Sequence, residues 1–148
     1  MKILFVGVFD KNSTNWSQSR ALSKINHEVI EYEYRLISKK IGNINRDDNL
    51  INVCRIERPN LVIFSKCNEI NSNVIIECNK ISKTVLWYMD PLNYNFNNSL
   101  IEKIKCCNFS FFALWEPFLE AKKINNKVLF LQEGFDYIQN YPINNEEY

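Results

Sequence analysis

The chain has 148 residues, 46% of them hydrophobic and 14% aromatic, which suits one domain with one core. Lys and Arg number 18 against 17 Asp and Glu, for a formal net charge of +1, and this excludes the strongly basic footprint of a phosphate-tracking nucleic-acid binder. No apolar run reaches the ~18 residues of a transmembrane segment, and five Cys without Cys-x-x-Cys spacing speak for reduced thiols in a cytoplasmic protein and against a disulfide framework or a zinc site.

Apolar runs of strand length alternate with stretches of helical period along the whole chain. Residues 3–9 are almost continuously apolar, the mark of a strand buried on both faces. The run is short and lacks a small-residue cleavage pattern, so it reads as a first strand and not as a signal peptide. Ser13, Thr14 or Asn15 caps a helix whose apolar stripe is Trp16, Leu22 and Ile25. The stretch EVIEYEY, residues 28–34, alternates polar and apolar, as a half-exposed strand does. Residues 36–48 contain Gly42 and an Asn/Asp cluster and read as a loop or a broken helix. A helix follows from about Asp47 to Arg58, ended by Pro59. Strands are then expected at 61–65, 84–89, 109–115 and 128–131. The helices between them lie at 72–82, from Asn98 or Ser99 onward, and from Pro117, set in a first turn, to about Ile124.

This alternation predicts a Rossmann-like three-layer α/β/α domain with a mostly parallel six-stranded sheet and right-handed crossovers. The domain spans residues 1–136, and residues 137–148 read as an exit or linker segment. The expected strand order is 3-2-1-4-5-6, with a flavodoxin-like order as its competitor.

Ligands of open parallel sheets bind outside the carboxyl ends of the strands. Gly7, Asp10 and Asn15 follow the first strand, and Ser65, Lys66, Cys67 and Asn68 the third. Tyr88, Asp90 and Asn93 follow the fourth, Trp115 and Glu116 the fifth, Glu133 and Gly134 the sixth. Carboxylates, a lysine, amides and aromatic rings on one edge suit a polar, hydroxyl-rich ligand. Each residue also has a plain structural role: Asp90-Pro91 as a turn, Asp10 as a helix cap, Glu116 as a charge at a helix N-terminus, Lys66 as a solvated loop lysine. With only three Gly there is neither a G-x-G-x-x-G fingerprint nor a P-loop, which argues against nicotinamide, flavin and P-loop ATP chemistry. The single His27 lies at the opposite edge, so neither a Ser-His-Asp triad nor a His-based metal cluster is expected. Cys67 reads as a core residue, since only Lys66 is at hand to make a thiolate.

The segments MKILFVGVFD, SQSRAL, HEVIEYEYR, LVIFSKCN, VLWYMDPLN, FALWEPFLEAKK and VLFLQEGFD, in that order and spacing, resemble the N-terminal domain of GT-B glycosyltransferases. The subgroup they are similar to is the spore-maturation-protein-like glycosyltransferases, and the resemblance covers residues 1 to about 136. It implies two Rossmann-like domains around a cleft. The N-terminal one receives the sugar or glycan acceptor, and a C-terminal domain of the same parent chain holds most of a UDP- or GDP-sugar co-substrate, with no bound metal or cofactor. QEGFD is similar to the segment by which such chains leave the first domain, so the 148 residues are expected to lack the donor-binding domain and to be inactive alone. Asp90 is then the first candidate for the base of an inverting transfer, with Asp10 and Glu116 behind it. Gly7 would let backbone approach the ligand, and Tyr88, Tyr94 and Trp115 would stack on a sugar ring. In a retaining enzyme the same residues would only orient the acceptor. The alternative is a stand-alone Rossmann-like nucleotide- or sugar-binding module without catalysis. A receiver-like domain fits poorly, because Ser65-Lys66 stands where that class needs a phosphorylatable Asp.

Overall fold

Six strands pair in parallel throughout one sheet. The computed structural model describes residues 1–91, 97–134 and 136. In chain order its elements are β1 (Lys2–Gly7), α1 (Thr14–Lys24), β2 (Glu28–Glu33), α2 (Tyr34–Ile41), α3 (Asn43–Glu57), β3 (Leu61–Ser65), α4 (Ser72–Asn79), β4 (Lys83–Tyr88), α5 (Asn98–Cys106), β5 (Phe109–Phe112), α6 (Trp115–Ile124) and β6 (Val128–Phe130). Helices flank the sheet on both faces, so the α/β class and the Rossmann-like three-layer architecture are those the alternation predicts.

The strand order corrects the expectation. The sheet runs β2-β1-β3-β4-β5-β6, the flavodoxin-like order and not 3-2-1-4-5-6. The reason is written in β2 itself. It carries Glu28, Glu31 and Glu33, the first two exposed, and Tyr32 is its one buried residue. An interior parallel strand is covered on both faces and must be apolar on both, so β2 is held to an edge, where Glu28 and Glu31 reach water. β3, with four of its five residues buried, takes the inner place beside β1.

Right-handed crossovers in this order place α1 on one face of the sheet and the later helices on the other. The pleat of β1 divides accordingly. Leu4 and Val6 join the main core with Leu50 and Cys54 of α3, Ile75 of α4, Ile104 of α5 and Ala121 of α6. Ile3 and Phe5 lie on the α1 side with Ile63, packed by Leu22, Val29 and Trp87. Among the described residues the α1 side is the thinner layer: Phe109 is 43% exposed and Leu129 44%.

Local chemistry sets the helix ends. Ser13 is the N-cap of α1, its Oγ accepting from Trp16 N at 3.1 Å. The side of α1 turned inward is partly polar: Asn15 and Ser19 are buried there beside the packed, partly buried Leu22, while Ile25 of the expected apolar stripe is 63% exposed. Gly42, at φ 82° and ψ 163°, separates α2 from α3, so residues 36–48 are indeed a broken helix. Arg58, in a left-handed conformation at φ 43°, closes α3 just before Pro59.

Candidate functional site

Because the chain leaves β1 toward β2 and later returns to β3 on the other side, the topological switch point lies between the carboxyl ends of β1 and β3. A cavity of about 280 Å³ opens there. Its walls are the turn after β1 with the start of α1, the first residues of α2, the chain leaving β3, and Met89 and Asp90 beyond β4.

Asn15 builds one wall. Its Oδ1 accepts from Val8 N at 3.0 Å, and its Nδ2 donates to Ser65 Oγ at 2.6 Å and Gln18 Oε1 at 3.0 Å. One side-chain amide thus bridges the ends of β1 and β3. It can do so only because residue 7 is glycine: a Cβ there would stand 2.6 Å from Asn15 Oδ1. The close approach that Gly7 permits is to this amide.

Across the cavity Lys66 Nζ meets Asp90 Oδ1 at 2.5 Å, with the two side chains 40% and 32% exposed. A donor and an acceptor side by side are what a sugar hydroxyl pair can use. The Arg35 guanidinium is the second cation of the lining. Its Nε donates to the Tyr34 hydroxyl at 3.2 Å and lies 3.6 Å from Glu69 Oε1. The Tyr34 ring is buried, and burial pushes its phenol above the usual range.

The chain leaving β3 is strained. Lys66 and Cys67 both have left-handed backbone, at φ 58° and 49°, a state that costs a non-glycine residue about 1–3 kcal/mol. Lys66 N donates to Trp87 O at 2.9 Å and Cys67 N to Ser65 O at 2.7 Å. The Cys67 thiol is fully buried and donates to Val6 O at 3.3 Å. Burial pushes its pKa far up, so it is a packed core thiol and no nucleophile.

Two buried cations support this loop from beneath. Arg46, 0% exposed, donates through one guanidinium nitrogen to Glu69 O at 2.8 Å and Asp47 Oδ1 at 2.6 Å, and through another to Ser38 Oγ at 2.7 Å. Lys103, 1% exposed, donates to Asn68 O at 3.0 Å and Ser99 Oγ at 2.8 Å. Burial lowers the pKa of Lys103 from the ordinary lysine value.

Of the residues singled out from sequence, Asn15, Ser65, Lys66, Asn68 and Asp90 come together in the cavity, with Gly7 directly behind Asn15. Asp10 is exposed outside the lining, its carbonyl accepting from Ser13 N at 2.8 Å. Glu116 is exposed in the first turn of α6. Trp115, 58% exposed, packs on Phe118 and Phe130 with ring centroids 5.2 and 5.4 Å away. Tyr88 departs from its expected role as a stacking platform. The pleat of β4 turns its ring into the main core, 1% exposed and 5.5 Å from the Phe112 ring. Glu133 and Gly134 line a separate groove of about 380 Å³ beside α1 and Trp87. Asn93, Tyr94 and residues 137–148 fall outside the described residues.

Tyr34, Arg35 and Met89 of the lining, and Arg46 and Lys103 beneath it, were not expected. Periodicity carries a signal for the last two. Lys103 shares a helical stripe with Leu100 and Ile104, and Arg46 one with Leu50 and Cys54; a lone cation in an apolar stripe marks a buried charge.

No protein-family model and no curated protein sequence matches this chain. Among the described residues no helix is long and apolar enough to cross a membrane. No group of three or more His, Cys, Asp and Glu among them is placed to hold a metal ion.

Proposed function

We propose that this chain is the acceptor-side domain of a GT-B-type glycosyltransferase, which receives a sugar or glycan hydroxyl and works with a donor-binding domain that supplies a UDP- or GDP-sugar. The observation that carries the reading is the polar cavity at the β1/β3 switch point, where Lys66 and Asp90 face the Asn15–Ser65 bridge. Its ~280 Å³ lies at the small end of ligand sites, on the scale of a single sugar ring. Its groups are hydroxyl partners and not the backbone cradle of a dinucleotide. Asp90 is the one of the three candidate bases that reaches this cavity, and a carboxylate within hydrogen-bond distance of an acceptor hydroxyl can take its proton. Lys66 on Oδ1 fixes the carboxylate in place, which serves the same end.

Two measurements test this. In the first, the 148-residue chain is titrated with a panel of methyl glycosides and followed by amide chemical shifts. The expected result is perturbation centred on Asn15, Ser65 and Lys66, weakened about tenfold or more in Asp90→Asn. Shifts on another surface, or a cavity that takes nucleotides and no glycoside, would favour the stand-alone binding module. The second assay supplies a donor-binding domain. There Asp90→Asn is expected to lower kcat by ~10²-fold or more if transfer inverts configuration, and an unchanged kcat removes Asp90 from the role of base.

A further inference from the structure

Lys103 is an unusual residue to find where it is. It occupies a core position of α5, between Leu100 and Ile104 on the buried stripe, yet it forms no ion pair with a described residue. The carboxylates that face it are Asp47 and Glu102, neither of them a hydrogen-bond partner of its ammonium, and the nearby thiols of Cys67 and Cys107 are kept protonated by burial. Burying an ammonium without a bonded counter-ion is unfavourable, and an apolar side chain of similar volume often serves stability as well or better. Fold stability therefore does not account for the charge. Its bonds do: the ammonium holds the carbonyl of Asn68, the residue that follows the two left-handed ones, and anchors itself on Ser99. Arg46 holds the neighbouring carbonyl, Glu69 O. Two buried cations from two different helices thus grip adjacent carbonyls of one six-residue loop.

We propose that Lys103 and Arg46 are positioning residues, whose clamp on the Asn68 and Glu69 carbonyls keeps the chain after β3 in the shape that presents Lys66 and Asn68 to the cavity. Strained backbone persists only where its surroundings over-determine it, and the paired clamp is what over-determines this turn. Neither cation touches the ligand. Their effect on binding runs through the loop, and in that respect alone the inference rests on the function proposed above.

The test uses Lys103→Met in the 148-residue chain, which keeps the volume and removes the donors. Amide hydrogen exchange is read at Cys67 and Ile70, whose N–H groups bond within the loop to Ser65 O and Cys67 O. The expected result is exchange about tenfold faster or more at these two amides, with the β1 and β3 amides and Tm unchanged or Tm higher. Glycoside affinity should fall only as far as the closed fraction of the loop falls, since only the closed loop binds. Unchanged loop exchange would overturn the proposal, as would a uniform rise in exchange with a fall in Tm, the signature of an ordinary core residue. Should Lys103→Met not fold, Ser99→Ala removes only the anchor and is expected to speed the same two amides about threefold, and no change there also overturns it. Exchange needs no ligand, so a glycoside panel that binds nowhere counts against the proposed function and leaves the loop result standing.

Discussion

The smallest decisive fact in the site is a missing methyl group. Gly7 is required because the Asn15 amide passes where a Cβ would be, at 2.6 Å. Gly7→Ala must displace that amide, and overpacking of this kind costs about 1–3 kcal/mol. Asn15→Ala alone strands Val8 N and Ser65 Oγ, at a cost of about 1–3 kcal/mol. The double variant removes the clash along with its partner, so its loss in urea unfolding should be clearly smaller than the sum of the two singles; strict additivity would show that Gly7 is not there for Asn15. The Lys66–Asp90 pair behaves differently. Both side chains are about a third exposed or more, and such pairs contribute only ~0–1 kcal/mol, so substitutions at either can report on binding without unfolding the domain. Position after a strand was enough to find Asn15, Ser65, Lys66, Asn68 and Asp90. It equally nominated Asp10, Trp115 and Glu116, because every strand ends at the same edge and the sequence does not say which two ends flank the switch point.

At the level of elements, strand and helix identity followed from periodicity, since runs such as LVIFS at 61–65 admit one reading. Strand order did not follow from connection rules, which permit β3 on either side of the β1–β2 pair. The three glutamates of β2 held the answer, because half-exposure belongs to an edge. The partly polar inner side of α1 was hidden for another reason. Asn15 and Ser19 are buried by specific partners, Ser65 Oγ and Glu31 Oε1, and hydropathy registers no partner. The break between α2 and α3 makes a test at this scale. Gly42 holds a backbone region essentially closed to side chains, with open space around its Cβ direction. Gly42→Ala therefore meets no steric neighbour and should still cost about 1–3 kcal/mol, from conformation alone. The expected observation is a lower urea midpoint at unchanged m-value; a wild-type midpoint would mean that the junction re-forms as a continuous helix without penalty.

For the whole molecule the notable property is the unequal cover of the sheet. Among the described residues one face carries the helices that build the main core, the other α1, and beyond α1 the side chains of Phe109 and Leu129 stand more than two-fifths exposed. With a sequence pI near 7.6 there is little net charge at neutral pH to keep copies apart. Replacing both Phe109 and Leu129 by Lys should alter stability by roughly 0.5 kcal/mol or less per site, and should lower light scattering and dye binding at pH 7.6. Scattering equal to that of the unmodified chain would show that this face is not the adhesive one.

The two rims of the sheet add a consequence for how such adhesion would grow. β2 lines one rim with glutamates and β6 at the other is three residues long, both of which discourage strand-to-strand addition. Among the described strands, contact is left to the flat side. Two copies meeting there would each use up the very surface that attracted them, so the process halts at a pair. Among the described residues, a handful of carboxylates and one short strand disfavour ribbons and fibres, which need a fresh sticky end after every step.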